Sequence, residues 1–294
     1  MPDIQIGDLS IAYEVHGSGP SVAITPGGRF GVDEGGVREL AMALAERGFR
    51  VLIWDRPNCG RSSVAFRGES ESALWADTLA ELIRSLDFGP AALVGGSAGS
   101  RVSLMTAARH PDVAGALYLW WISGGTYGLM SLGVHYVGDS LLAAQRFGMD
   151  RVARLRTWRA SIEANPANRE RILATDRDRF IDTMHSWIDH YLPSADSPVP
   201  GMSVNDFAAL RIPVSILRSG STDLHHPRPT SEWVHRLVPD SRLAEPPWGD
   251  DEWNERGDAS LKGASLFERW PLLAPDIAGF LGSHAQVRME GNLI

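Results

Sequence analysis

The chain has 294 residues, 44% of them hydrophobic and 22% charged, a make-up that fits one large globular domain or a domain carrying an insertion. A net charge of −8 without any basic cluster argues against nucleic acid and anionic membrane as partners. The single cysteine, Cys59, rules out an internal disulfide. No apolar run is long enough to span a bilayer, and Met1-Pro2-Asp3 lacks the features of a signal peptide, so a cytoplasmic location is expected.

Residues 3–14 and 21–25 alternate or run apolar around the turn Gly17-Ser18-Gly19-Pro20 and are read as strands. Helical spacing over 37–47 stops at Gly48, and 50–54 is a short buried strand. A second helical pattern covers 74–86. The apolar run Ala91-Ala92-Leu93-Val94 then leads into Gly95-Gly96-Ser97-Ala98-Gly99, and a helical pattern over 100–110 stops at Pro111. Residues 113–121 form another apolar strand. Further on come a strand at 212–218, a helix at 229–237, a strand around 241–245 and a last helix from about 271 to 281. Strands alternating with helices predict an α/β fold: a mostly parallel, doubly wound sheet with helices on both faces. The core then takes 1–123 and 209–294. Residues 124–208, with charged helical segments at 150–164 and 167–190 and a Pro/Ser-rich exit, are read as a helical cap over the carboxyl edge, where ligands bind in such sheets.

Gly95, Ser97 and Gly99 match G-x-S-x-G in a strand–turn–helix context. Such a turn strains the residue at its tip, projects the serine hydroxyl above the sheet and aims the free N–H groups of the next helix at the same place. The competing reading is a glycine-rich turn with an N-cap serine.

With these elements the chain resembles the α/β-hydrolase fold family, over essentially its whole length. Residues 9–20 are similar to the first hairpin of capped members, and Asp55-Arg56-Pro57-Asn58-Cys59-Gly60-Arg61-Ser62 resembles the D-x-x-G-x-G-x-S loop, with Asn58 at the first glycine. Thr25-Pro26-Gly27-Gly28 stands where members carry the first half of the oxyanion hole. The resemblance makes Ser97 the nucleophile, the backbone N–H groups of Gly28 and Ala98 the oxyanion donors, and Asp223, after the second-last strand, the acid of the triad.

The usual histidine is missing. Family members place it in a Gly-His pair after the last strand, but here Gly249 is followed by Asp250. Three readings stand. His226, just before Pro227, reaches Ser97 and serves as base, or else only packs or contacts substrate, while His225 points away. Alternatively Asp250 itself acts, its pKa raised by burial beside Asp251 and Glu252. In the third reading the chain is a non-hydrolytic member of the fold: a small-molecule binder, or a lyase or isomerase using Asp250.

Trp120 and Trp121 end a strand at the carboxyl edge, and Tyr127, His135 and Trp187 lie in the cap. All are candidates to wall a pocket for an aromatic or apolar substrate. Trp187 and Tyr191 are spaced to share one helical face. Arg29 and Arg101 could meet a substrate carboxylate, or pair internally with Glu34 or Asp55. Neither metal-ligand spacing nor a phosphate-binding glycine loop is present, so no cofactor and no metal are expected. The leading expectation is a cofactor-free serine hydrolase for a small ester, lactone or activated carbon–carbon bond next to a carbonyl. Its partner is a small-molecule substrate, and a homodimer is left open.

Overall fold

The computed structural model describes residues 1–291. These form an eight-stranded sheet, β1 (Asp3–Ile6), β2 (Leu9–His16), β3 (Ser21–Thr25), β4 (Arg50–Trp54), β5 (Ala91–Gly96), β6 (Ala114–Trp120), β7 (Val214–Leu217) and β8 (Arg242–Ala244). The order across the sheet is β1-β2-β4-β3-β5-β6-β7-β8. The opening hairpin makes β1 and β2 antiparallel, and β2 runs antiparallel to β4. All pairings from β4 to β8 are parallel. β5, with every residue buried, occupies the middle of the sheet, which puts its carboxyl end at the centre of the ligand edge.

The helices are α1 (Val37–Ala45), α2 (Glu71–Ser85), α3 (Ala98–Arg109), α4 (Thr126–Gly133), α5 (Asp139–Phe147), α6 (Met149–Val152), α7 (Arg156–Ala164), α8 (Ala167–Ala174), α9 (Arg177–Asp189), α10 (Val204–Ala209), α11 (Arg228–Leu237), α12 (Glu252–Leu261) and α13 (Ala274–Gly291). A π-helical turn, Val134–Gly138, joins α4 to α5, and a 3₁₀ turn, Trp270–Leu273, precedes α13. Helix α2 begins earlier than its apolar spacing suggests, because Ser70 caps it by accepting from the Ala73 N–H. The acidic run after Gly249 leads into α12, with Glu252 and Glu255 in its first turn, where the positive end of the helix dipole favours carboxylates.

Two buried clusters cover the two faces of the sheet. One joins Val22, Ile24, Val51, Ile53, Val94 and Tyr118 to α1, Trp270 and α13. The other joins Ala23, Leu52, Leu93 and Leu117 to α2 and α3, and continues into Trp158, Phe180, Met184 and Trp187 of the helices that follow β6. These helices, α4 to α10, all lie between β6 and β7, so the stretch after β6 is entirely helical where it is regular. Phe66 ties them to the sheet, its ring meeting Phe180 edge-on at 4.7 Å and Trp158 at 5.2 Å. No helix of the described residues is long and apolar enough to cross a membrane.

Candidate active site

Ser97 sits between β5 and α3 with φ 58 and ψ −121, a positive φ that costs a non-glycine residue strain. Its neighbours allow the turn. A Cβ on Gly95 would lie 2.5 Å from the Gly99 backbone, and one on Gly99 would collide with the Thr25 carbonyl. The Ser97 hydroxyl makes no capping bond to α3, which removes the N-cap reading. It bonds instead to His226, with Nε2 at 2.9 Å from Oγ.

The His226 ring is held from the other side. Its Nδ1 stands 2.9 Å from Asp223 Oδ2, while Asp223 Oδ1 accepts from the backbone N–H groups of His225 at 3.0 Å and His226 at 2.8 Å. Both side chains come from the one loop between β7 and α11, and each residue is only 4% exposed. Burial pushes the Asp223 carboxyl up, but the His226 ring, its hydrogen bonds and Arg256 outweigh this and leave the group below the usual carboxylate value. A carboxylate fixed in this way holds its proton-bearing partner at Nδ1, so Nε2 is free to accept from Ser97.

Packing fixes the plane of the ring. Trp121 lies nearly parallel to His226 at 6.1 Å, and Trp248 and Trp253 close around the pair. The Arg256 guanidinium sits 3.9 Å over Trp121 and 3.5 Å from Asp223 Oδ2, and forms an ion pair with buried Glu252 at 3.0 Å. Burial pushes the Glu252 carboxyl up. Reading along the chain missed Arg256 and took Glu252 only as a neighbour of Asp250. Their signal was the i, i+4 acid–base spacing of an unrecognised helix.

The Ala98 N–H at the start of α3 and the Gly28 N–H donate to no acceptor among the described residues. Gly28 has φ 48, and Gly27 approaches Ser97 so closely that a Cβ there would lie 3.1 Å from the serine Cβ. Buried Arg56 steadies this loop by donating to the carbonyls of Gly27 at 3.1 Å and Phe30 at 3.0 Å. Above the loop the Tyr136 hydroxyl, carried on the π-helical turn, would touch a Cβ on Gly28 at 2.9 Å.

Several expected site residues lie elsewhere. Asp250 is ion-paired with Arg228 and its side chain is 60% exposed, so neither burial nor position makes it a base. The β8–α12 loop turns it away, with its carbonyl packed on Gly220. Trp120 is fully buried beside Trp270, at 4.8 Å, and belongs to the core. Trp187 likewise packs against Phe66, its Nε1 donating to the Gly68 carbonyl at 3.3 Å, and Tyr191 follows the end of α9 rather than sharing its face. Trp121 backs His226 from within the core. Tyr127 is 62% exposed on the outer side of α4, stacked on His225. His135 is exposed, edge-on to Tyr136, and burial of part of its ring together with Arg29 lowers its pKa. Arg29 pairs with neither Glu34 nor Asp55: its Nε and Nη2 form a two-pronged bridge to Glu71 at 3.0 and 3.1 Å, between the rings of Trp158 and Tyr136. That pairing uses the charge expected for a substrate. Among the described residues, no group of acids, histidines and cysteines has the arrangement of a metal site.

The profile of the alpha/beta hydrolase fold matches residues 27–173, half of the chain and its elbow included. The chain belongs to this family. It is 34% identical over 114 residues to a 2-hydroxy-6-oxononadienedioate/2-hydroxy-6-oxononatrienedioate hydrolase of Burkholderia vietnamiensis, over 39% of this chain and 36% of that protein. To the enzyme of the same description from Escherichia coli it is 30% identical over 123 residues, 42% of this chain and 38% of that one. The chain thus matches little more than a third of these relatives' length. Among solved structures, the enol-lactonase from Burkholderia xenovorans is similar with a TM-score of 0.58 at 18% identity, over 96% of this chain and 100% of that one. A meta-cleavage product hydrolase from Pseudomonas fluorescens gives 0.59 at 19%, over 97% and 98%. At these identities the likeness is one of fold.

Proposed function

We propose that the chain is a cofactor-free serine hydrolase acting on a small ester, lactone or carbon–carbon bond next to a carbonyl. The observation that carries this reading is the relay Ser97–His226–Asp223, with both links at 2.9 Å, at a strained elbow whose serine hydroxyl does not cap the following helix. Ser97 Oγ attacks the carbonyl carbon and passes its proton to His226 Nε2. The carbonyl electron pair moves onto oxygen, where the Ala98 and Gly28 N–H groups stabilise it; one such donor is worth roughly 3–4 kcal/mol of barrier. Collapse expels the leaving group, which takes the proton from His226. Water then attacks the acyl group by the same route and frees Ser97. That the relatives are hydrolases of oxo-substituted dienedioates and trienedioates, and that an enol-lactonase shares the fold, supports this substrate range over a phosphoryl or glycosyl one.

A histidine supplied by the acid's own loop takes over the task of the one missing after β8, and with Asp250 paired to Arg228 nothing favours the lyase or isomerase reading. The test is intact mass after incubation with a fluorophosphonate. A single adduct is expected on the wild type, absent in Ser97→Ala and strongly slowed in a folded His226→Ala. Absence of any adduct on the wild type overturns the reading.

A further inference from the structure

Arg101 lies in the first turn of α3, four residues after Ser97, and is 3% exposed. A buried guanidinium normally lies against a carboxylate, because leaving water uncompensated is costly. Arg101 has no such partner: among the described residues it forms no ion pair. Among the described residues its side chain makes one hydrogen bond, from Nη2 to the Tyr191 hydroxyl at 3.3 Å, and its buried Nε donates to nothing. Arg56, equally buried, is also without an acid and spends its Nη2 on two carbonyls of the Gly28 loop. Of the three buried arginines beneath the helices that follow β6, only Arg29 is neutralised, by Glu71. The buried carboxylates nearby are spoken for: Glu71 by Arg29, Asp223 and Glu252 by Arg256, and Asp55 by the backbone N–H groups of Val32 and Arg61, so none is bonded to Arg101.

Arg101 is also linked by side-chain contacts to the loop that carries Gly28. Its guanidinium rests on the Tyr191 ring at 5.0 Å, the Tyr191 ring is 6.5 Å from that of Tyr136, and the Tyr136 hydroxyl stands over Gly28. One continuous wall thus runs from the oxyanion loop to Arg101. We propose that Arg101 is an anion subsite, taking a carboxylate at the far end of the substrate whose carbonyl Ser97 attacks. Four residues of helix separate the two Cα atoms by about 6 Å of axial rise, so the carboxylate lies several bonds from the carbon attacked. The proposal rests on the serine chemistry above and narrows its substrates to acids.

The test separates the two. In Ser97→Ala, which cannot turn over, calorimetry compares the mono-anilide of glutaric acid with its neutral counterpart, in which the free acid is a primary amide. The acid is expected to bind about ten- to a hundredfold more tightly, the range of a charge-assisted hydrogen-bonded pair. In Ser97→Ala/Arg101→Gln the preference is expected to fall below twofold, and Arg101→Lys, which keeps the charge but loses the fork, should retain part of it. Equal binding of the two compounds to Ser97→Ala overturns the subsite without recourse to any arginine variant, and so does a preference that survives Arg101→Gln. A fluorophosphonate that labels Ser97 with no anion preference refutes the subsite alone; an anion preference with an unlabelled serine refutes the hydrolase alone.

Discussion

Asp223→Asn isolates the orienting role of the carboxylate from its structural one. In the wild type Oδ1 accepts two backbone N–H groups, from His225 and His226, and Oδ2 faces His226 Nδ1. An asparagine keeps its carbonyl oxygen on the two backbone donors, which leaves its NH₂ group facing Nδ1. Two donors cannot face each other, so the ring takes the tautomer with its proton on Nε2, and Nε2 can no longer accept the Ser97 proton. The loop stays in place while the base is lost. The expected fall in kcat is about 10³- to 10⁴-fold, equivalent to roughly 4–5.5 kcal/mol of barrier. The assay is hydrolysis of 4-nitrophenyl acetate, with Ser97→Ala as the floor and near-ultraviolet circular dichroism as the folding control. A folded Asp223→Asn within tenfold of the wild type would refute the relay. A second readout follows from the lowered pKa of Asp223. Its charged form adds stability above the unfolded carboxylate value of about 3.9, and this contribution is lost as the pH falls through the lower folded value. The stability gap between the wild type and Asp223→Asn should therefore close in acid.

Asp250→Asn should leave kcat within about twofold, since the group removed is an exposed partner of Arg228; abolished activity in a folded variant would return Asp250 to the mechanism. Glu252→Gln should gain stability relative to the wild type as the pH rises from 4 to 7. The buried Glu252 carboxyl has a raised pKa, so the stability it contributes in acid is lost as the pH rises through the folded value; melting temperatures that move in parallel across this range refute the assignment. Cys59 is buried and its thiol pushed up to about 12, so at pH 8 only about one molecule in 10⁴ carries the thiolate. Folded protein should resist iodoacetamide for hours and react promptly in guanidinium, whereas fast labelling of the folded chain would contradict this burial.

Glu71, Glu252 and Arg256 show where reading along the chain stops. The apolar spacing of 74–86 located the body of α2 but not its first turn, where Glu71 waits for Arg29 from 42 residues away. Helix α12 was hidden because its exposed, charge-rich face carries little apolar period, although Glu252 and Arg256 stand one turn apart. Trp120 and Trp187 were read as pocket walls from their place at a strand end and in a helical stripe. Whether such an aromatic meets ligand or core depends on what packs over it, here Trp270 and Phe66.

What the chain determined by itself is local: the strand–turn–helix around Ser97, the glycines that only this turn requires, the alternation that builds a parallel sheet, and the loop in which Asp223 and His226 stand three residues apart. These follow from steric limits on neighbouring residues and from periodicity. What only the tertiary structure decided is which distant groups meet. The bond between His226 and Ser97 spans 129 residues, the counter-ion of Arg29 is Glu71, Asp250 faces solvent, and Arg101 is buried without an acid. Such choices depend on how the loops at the sheet edge are oriented by their packing, a balance of desolvation and pairing that no local pattern encodes.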